Sequence, residues 1–151
     1  MPATDNIESR AAVAGHPIHP MLIHFPVAAL IALVGADFGF WWTGDEFWAR
    51  AGLWLAGVGA TGGWVASIAG LIDITTVADI RRRITAWCHA ILAVMMLSLA
   101  SLNWMVRYQG GEELVLWSFY LTGVTAVLIS LASYLGGRLV YEHAVGVDVE
   151  S

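Results

Sequence analysis

The chain has 151 residues, of which 58% are apolar or aromatic and 13% are charged, with a net charge of −5. Its mean hydropathy is +0.70. A soluble domain carries about a quarter charged residues, and a small one needs them because so much of it is surface. This composition excludes a soluble enzyme, a nucleic-acid-binding protein with a basic face and a disordered chain. It indicates an integral membrane protein.

Four apolar stretches are long enough to cross a bilayer, which takes about 20 helical residues. They run over residues 21–42, 48–72, 84–106 and 114–135, and short polar turns join them. Continuous apolar runs are not the alternating pattern of a membrane β-barrel. The predicted fold is therefore all-α: an up-and-down four-helix bundle in the membrane. One membrane domain covers residues 15–147, with polar tails at 1–14 and 148–151.

The arginines predict the orientation of the bundle. Arginine is the only basic residue besides histidine, and five of the seven arginines fall on the side that carries both termini. Cytoplasmic loops of membrane proteins are enriched in positive charge. We therefore expect an inner-membrane protein with both termini in the cytoplasm. The acidic residues Asp5 and Glu8 argue against a cleavable signal peptide, and the single cysteine, Cys88, excludes an internal disulfide.

Small residues recur along the second span at three- and four-residue spacing. They are Gly52, Ala56, Gly59, Gly63, Ser67 and Gly70. Such a stripe allows helix backbones to approach closely in lipid. It is also compatible with a flat groove for a planar cofactor, and spacing alone does not separate the two interpretations.

Ionisable residues gather at the cytoplasmic end of the predicted bundle. His24 in the first span and His89 in the third lie at similar depth, roughly 6–8 Å inside the boundary. Asp73 closes the second span at the same level, and the fourth is followed by Arg138 and His143. Because such groups are costly in a membrane, they usually face a bundle interior, a partner or a cofactor. This layer is the candidate functional site.

Two further histidines, His16 and His19, precede the first span and are secondary candidates. Pro17 and Pro20 follow them directly. Because a residue before proline is biased towards extended backbone, we expect residues 16–19 to form a stiff extended entry to the first helix.

Two imidazoles from facing helices can supply both axial ligands of haem iron. We therefore expect His24 and His89 to ligate a b-type haem. Asp73 would orient a histidine or accept a haem-linked proton, while Arg138 and His143 would pair with the haem propionates or cover the site. The alternatives are a transition-metal site, a proton relay and a purely structural layer in which the histidines bond one another, Asp73 or backbone carbonyls.

Other polar residues predict structural roles. Asp37 in the first span and Arg107 in the third, with Asn103, approach the opposite interface together. We expect a buried ion pair there that orients the helices. Gly136 and Gly137 predict a helix end or hinge after the fourth span.

The chain opens with Gly-His-Pro-Ile-His-Pro at 15–20, followed by His24-Phe25-Pro26, and further motifs lie at 70–73, at His89, at 103–107 and at 136–143. Together these segments resemble domain-of-unknown-function family 2231, a group of bacterial membrane proteins. Ala144 departs from the Gly-Val-Gly-Val pattern expected at 144–147. The resemblance implies a four-span fold and no established activity, although such domains also occur beside haem-bearing modules.

The function that we expect is haem-linked electron transfer in the membrane, with lipid as surroundings and a redox protein or a second copy as partner. A non-catalytic scaffold or accessory subunit is the main alternative, and a protein that handles metal or protons is another. No arrangement of residues typical of an enzyme is found.

Overall fold

The computed structural model describes residues 7–110 and 112–147, with side chains for all of these except 112–114. Residues 1–6 of the predicted N-terminal tail and the whole predicted C-terminal tail, 148–151, lie outside these residues. In chain order the elements are β1 Ala12–Val13, β2 His16–Pro17, α1 Ile18–Thr43, α2 Glu46–Thr76, α3 Ala78–Arg81, α4 Ile84–Gln109 and α5 Glu112–Tyr141.

The four long helices α1, α2, α4 and α5 are each long and apolar enough to cross a membrane. They pack in the circular order α1–α2–α4–α5, and the closing α1–α5 interface is the loosest. Successive helices are antiparallel, so α1 and α4 run in the same direction on opposite corners. This confirms the predicted all-α membrane bundle.

Large apolar side chains cover the outside of the bundle, as lipid requires; Trp54, Val65 and Ile91 are examples. The main core is formed by Leu30, Leu33, Ala56, Ala60, Met96, Leu97, Ala100 and Ile129. Because lipid is as apolar as the core, close van der Waals packing has to hold these helices together.

The glycine stripe of α2 supplies that close packing. A Cβ atom at Gly59 would lie 2.5 Å from Leu30 Cδ2 of α1, and one at Gly63 would overlap Leu97 of α4. Side chains from two neighbouring helices therefore fill the space beside these glycines. Of the two interpretations of the stripe, helix packing is the one that applies here.

Two helix ends differ from the prediction. Helix α1 begins at Ile18, so His19 and Pro20 lie in its first turn and not in an extended segment. Proline is tolerated there because the N–H that it lacks has no partner within the helix. Helix α5 continues through Gly136 and Gly137 to Tyr141 without a hinge, because packing outweighs the modest helix penalty of glycine.

Residues 7–17, which we call the N-terminal strap, cross the end of the bundle before α1 begins. Strands β1 and β2 pair antiparallel within the strap, and the Ile18 amide donates to the carbonyl of Ala11 at 2.8 Å. The strap thus leads directly into α1.

The chain after α5 turns back and meets the strap. The amide of Ile7 donates to the carbonyl of Ala144 at 3.3 Å, and the amide of Gly146 donates to the carbonyl of Ile7 at 2.8 Å. Ala144 has a φ of 50°, a left-handed conformation that favours glycine. The departure at Ala144 from the family pattern therefore does not abolish the turn.

Candidate functional site

An imidazole pair lies at the end of the bundle that carries the strap. His19 in the first turn of α1 and His89 near the start of α4 have ring centroids 6.2 Å apart, with the ring planes at 86°. Both side chains are half-buried. Because α1 and α4 occupy opposite corners, the two rings meet across the centre of the bundle.

A backbone carbonyl of a neighbouring helix holds each ring. His19 Nδ1 lies 2.9 Å from the oxygen of Ala66 in α2, and His89 Nδ1 lies 2.9 Å from the oxygen of Ala132 in α5. Because a carbonyl oxygen can only accept, each Nδ1 carries the proton and donates. In the neutral ring the Nε2 lone pair is then available to an electrophile or a metal ion.

The two halves of the site are built alike. One helical turn after the carbonyl that accepts the bond, α2 carries Gly70 and α5 carries Gly136. A Cβ at Gly70 would lie 3.2 Å from His19 Nδ1, and one at Gly136 would lie 3.3 Å from His89 Cε1. Each pair of adjacent helices, α1 with α2 and α4 with α5, therefore contributes one imidazole, one carbonyl and one glycine that makes room for the ring.

His24 does not take the predicted place opposite His89. It is exposed on the surface of α1, because the five residues from His19 to His24 turn the side chain by about 140° around the helix. His19, a secondary candidate, occupies the pocket instead. His16 is exposed, with Nδ1 2.9 Å from the carbonyl of Ala14 in the strap.

Asp73 has a role different from the predicted one. It is buried, and its carboxylate accepts hydrogen bonds from the strap: from Ser9 Oγ at 2.7 Å, from the Arg10 amide at 2.8 Å and from the Ala11 amide at 2.9 Å. The carboxylate thus anchors the strap and bonds to no histidine in the described chain.

Arg138 and His143, the predicted propionate partners, lie at the end of α5. Arg138 forms an ion pair with Glu142 at 2.7 Å, and the hydrogen bonds that it donates hold the pKa of Glu142 below its usual range. His143 is half-buried in the turn that follows. Arg138 is therefore already engaged with a carboxylate.

The predicted Asp37–Arg107 pair is confirmed at the opposite end of the bundle. Arg107 Nη2 lies 2.7 Å from Asp37 Oδ2, with the two side chains 8% and 12% exposed. Arg107 also donates to Asn103 Oδ1 at 3.0 Å and to Thr122 Oγ1 at 3.0 Å, and Asn103 donates to the same hydroxyl. This network connects α1, α4 and α5.

A spacing in the sequence could have identified His19. Asp37 follows His19 by 18 residues, and Arg107 follows His89 by 18 residues. Since 18 residues make five full helical turns, each histidine shares a helix face with one member of the ion pair. The depth of a residue in the membrane, which favoured His24, does not tell in which direction around the helix its side chain points.

The fold and the site define a class: a four-helix membrane protein with an imidazole pair at one end of its interior and a buried ion pair at the other. The family described as "Predicted membrane protein (DUF2231)" matches residues 15–149, and the chain belongs to that family. Comparisons with curated proteins and with solved structures gave no match.

Proposed function

We propose that this protein binds a b-type haem between His19 and His89 and transfers electrons in the membrane. The observation that carries the proposal is the imidazole pair, whose rings approach to 6.2 Å between centroids. Two imidazoles that bind one metal ion from opposite sides, each through a nitrogen about 2 Å from the ion, would have ring centroids roughly 6 Å apart. The spacing of the pair supports ligation of a single ion.

The number of ligands favours haem over a bare metal ion. Zinc sites use three or four protein ligands, and the described part of the chain holds no group of three His, Cys, Asp or Glu residues that could bind a metal. Haem iron takes its four in-plane nitrogens from the porphyrin and needs only axial ligands from the protein. Two histidines are then sufficient.

The surroundings of the pair also support this function. The carbonyls of Ala66 and Ala132 fix the orientation of the two rings, and such outer contacts raise the basicity of a ligating imidazole. Gly70 and Gly136 make room for the two rings beside α2 and α5. When bound, the haem would supply one-electron exchange between ferrous and ferric iron.

We assign the imidazole end to the cytoplasmic face of an inner membrane. The described arginines at that end are Arg10, Arg81, Arg82, Arg83 and Arg138, against Arg50 and Arg107 at the other. The excess of positive charge supports this orientation. A redox partner protein would dock on the cytoplasmic face, or electrons would pass between copies in a homo-oligomer.

Haem binding by purified protein tests the proposal. The chain is purified in detergent, titrated with haemin and followed by its Soret absorption and by electron paramagnetic resonance. We expect one haem per chain and a low-spin ferric spectrum typical of two imidazole ligands. His19→Ala and His89→Ala should each abolish that low-spin spectrum.

His24→Ala and His16→Ala are matched controls, because both side chains are exposed, and both variants should bind haem like the parent chain. A parent protein that stays colourless at saturating haemin would refute the proposal and favour the scaffold alternative. Loss of binding in His24→Ala with retention in His19→Ala would refute the assignment of the ligands.

A further inference from the structure

The strap lies across the end of the bundle that holds the imidazole pair. Asp73, which anchors the strap, follows Ala66 by seven residues on α2. These two helical turns correspond to about 10 Å. The carbonyl of Ala66 accepts a hydrogen bond from His19. Helix α2 therefore holds the His19 ring at Ala66 and holds the strap two turns further along, at Asp73.

Ile7 belongs to a small core at this end of the bundle. The residue is 8% exposed and shares a buried cluster with Ile74 of α2, Ile80 of α3 and Ala86 of α4. Leu139 of α5 lies against the same small core. Ala86 precedes His89 by three residues, roughly 4.5 Å along the helix. The cluster that includes Ile7 therefore lies about one helical turn from His89, on the side of the strap.

The strap also determines where α1 begins. The backbone carbonyl of Ala11 accepts a hydrogen bond from the amide of Ile18, the first residue of α1. His19 follows Ile18 directly. The amides of Arg10 and Ala11 are themselves fixed on the Asp73 carboxylate. A short chain of contacts thus runs from Asp73 to His19.

From these contacts we infer that the strap both positions His19 and shields the imidazole pair from water. Asp73 is a positioning residue that acts through the strap, and Ile7 is the plug. The inference concerns regulation of the proposed haem site: release of the strap admits water and ligand to His19 and His89. A test that measures haem loss rests on the proposed function, whereas a test that measures chemical modification of the imidazoles does not.

The chemistry of the anchor indicates how to release the strap. Three donors converge on one carboxylate, and hydrogen bonds to a charged acceptor are stronger than neutral ones. Asp73→Asn keeps the size of the side chain but removes its charge. Its oxygen can still accept from the Arg10 and Ala11 amides, and its amide group can donate to the Ser9 hydroxyl, so the strap is then held only by weaker, neutral hydrogen bonds.

Chemical modification of the imidazoles in the haem-free protein provides the test. The chain in detergent is treated with diethyl pyrocarbonate, and the rates at His19 and His89 are measured by mass spectrometry relative to added N-acetylhistidine. In Asp73→Asn both rates should rise by about tenfold, the factor expected when hydrogen bonds to a charged acceptor become bonds to a neutral one. Asp79→Asn, which removes an exposed carboxylate from α3, should leave the rates unchanged.

Ile7→Ser releases the plug without touching the anchor and should give the same increase, so the test survives if Asp73→Asn fails to fold. Asp73→Glu, which keeps the acceptor, should restore part of the protection. With haem bound, both releasing variants should lose haem to apomyoglobin faster. Faster modification in a chain that binds no haem would support the strap and refute the haem site. Parental rates in both folded releasing variants would overturn the inference.

Discussion

The two polar ends of the bundle are built on the same helices but in opposite ways. His19 and Asp37 share one face of α1, and His89 and Arg107 share one face of α4, each pair about 27 Å apart along its helix. At the Arg107 end opposite charges meet directly and further hydrogen bonds surround them. At the histidine end each ring donates one hydrogen bond, from Nδ1 to a backbone carbonyl. A saturated polar cluster of this kind orients helices, whereas the proposed haem site relies on the ring nitrogens that the carbonyls do not use.

The largest effect on stability should come from breaking the saturated end. Arg107→Ala leaves the Asp37 carboxylate buried without its partner and removes the donor to Asn103 and Thr122. Removing one partner of a buried ion pair costs about 3–5 kcal/mol. We expect a decrease of that size in the free energy of unfolding, measured by denaturant titration in detergent micelles.

The double variant Asp37→Leu with Arg107→Leu distinguishes an unpaired charge from a general loss of packing. Because it leaves no unpaired charge, it should recover most of the lost stability. A double variant as unstable as Arg107→Ala would show that the pair stabilises by its shape and hydrogen bonds and not by charge neutralisation.

At the histidine end we expect a smaller effect, and on binding rather than on stability. Gly70→Ala would place a Cβ 3.2 Å from His19 Nδ1, so the ring must shift and its bond to Ala66 must weaken. Outer contacts of metal ligands affect affinity by about 10- to 100-fold, and we expect roughly a tenfold loss of haem affinity in a haemin titration.

Gly35→Ala is the matched control, since a Cβ at that position meets nothing within 4 Å. It should bind haem like the parent chain. Equal affinity in Gly70→Ala and Gly35→Ala would contradict the role of the glycine beside His19.

The same comparison explains what could be predicted from the sequence. Continuous apolar runs predicted the four spans, and the Asp37–Arg107 pair followed because two lone charges lie at one depth. The predicted pairing of His24 with His89 was wrong because depth identifies a layer of the membrane but not a direction around the helix, and His24 faces outward. The role of Asp73 depended on where the strap folds, a contact 63 residues away in the chain to Arg10. No local pattern encodes such a contact.

Thr125 provides the smallest expected effect and lies on α5 between the two ends. It is 2% exposed, and its Oγ1 atom has no hydrogen-bond partner among the described residues. Thr122, one turn earlier, has a hydroxyl that accepts from Asn103 and Arg107 and donates to the carbonyl of Ser118. The two threonines therefore differ in hydrogen bonding rather than in burial.

Because valine replaces the hydroxyl by a methyl group of similar size, Thr125→Val removes an unsatisfied polar atom and should raise the free energy of unfolding by up to about 1 kcal/mol. Thr122→Val should lower it by about 1–3 kcal/mol, since buried donors of the ion-pair network lose their acceptor. Both changes are measured by the same denaturant titration as Arg107→Ala. A decrease in Thr125→Val as large as in Thr122→Val would mean that Thr125 has a partner in the membrane, such as a buried water. The polar interior would then extend from the Arg107 end towards the histidines, and the sharp contrast between the two ends would no longer hold.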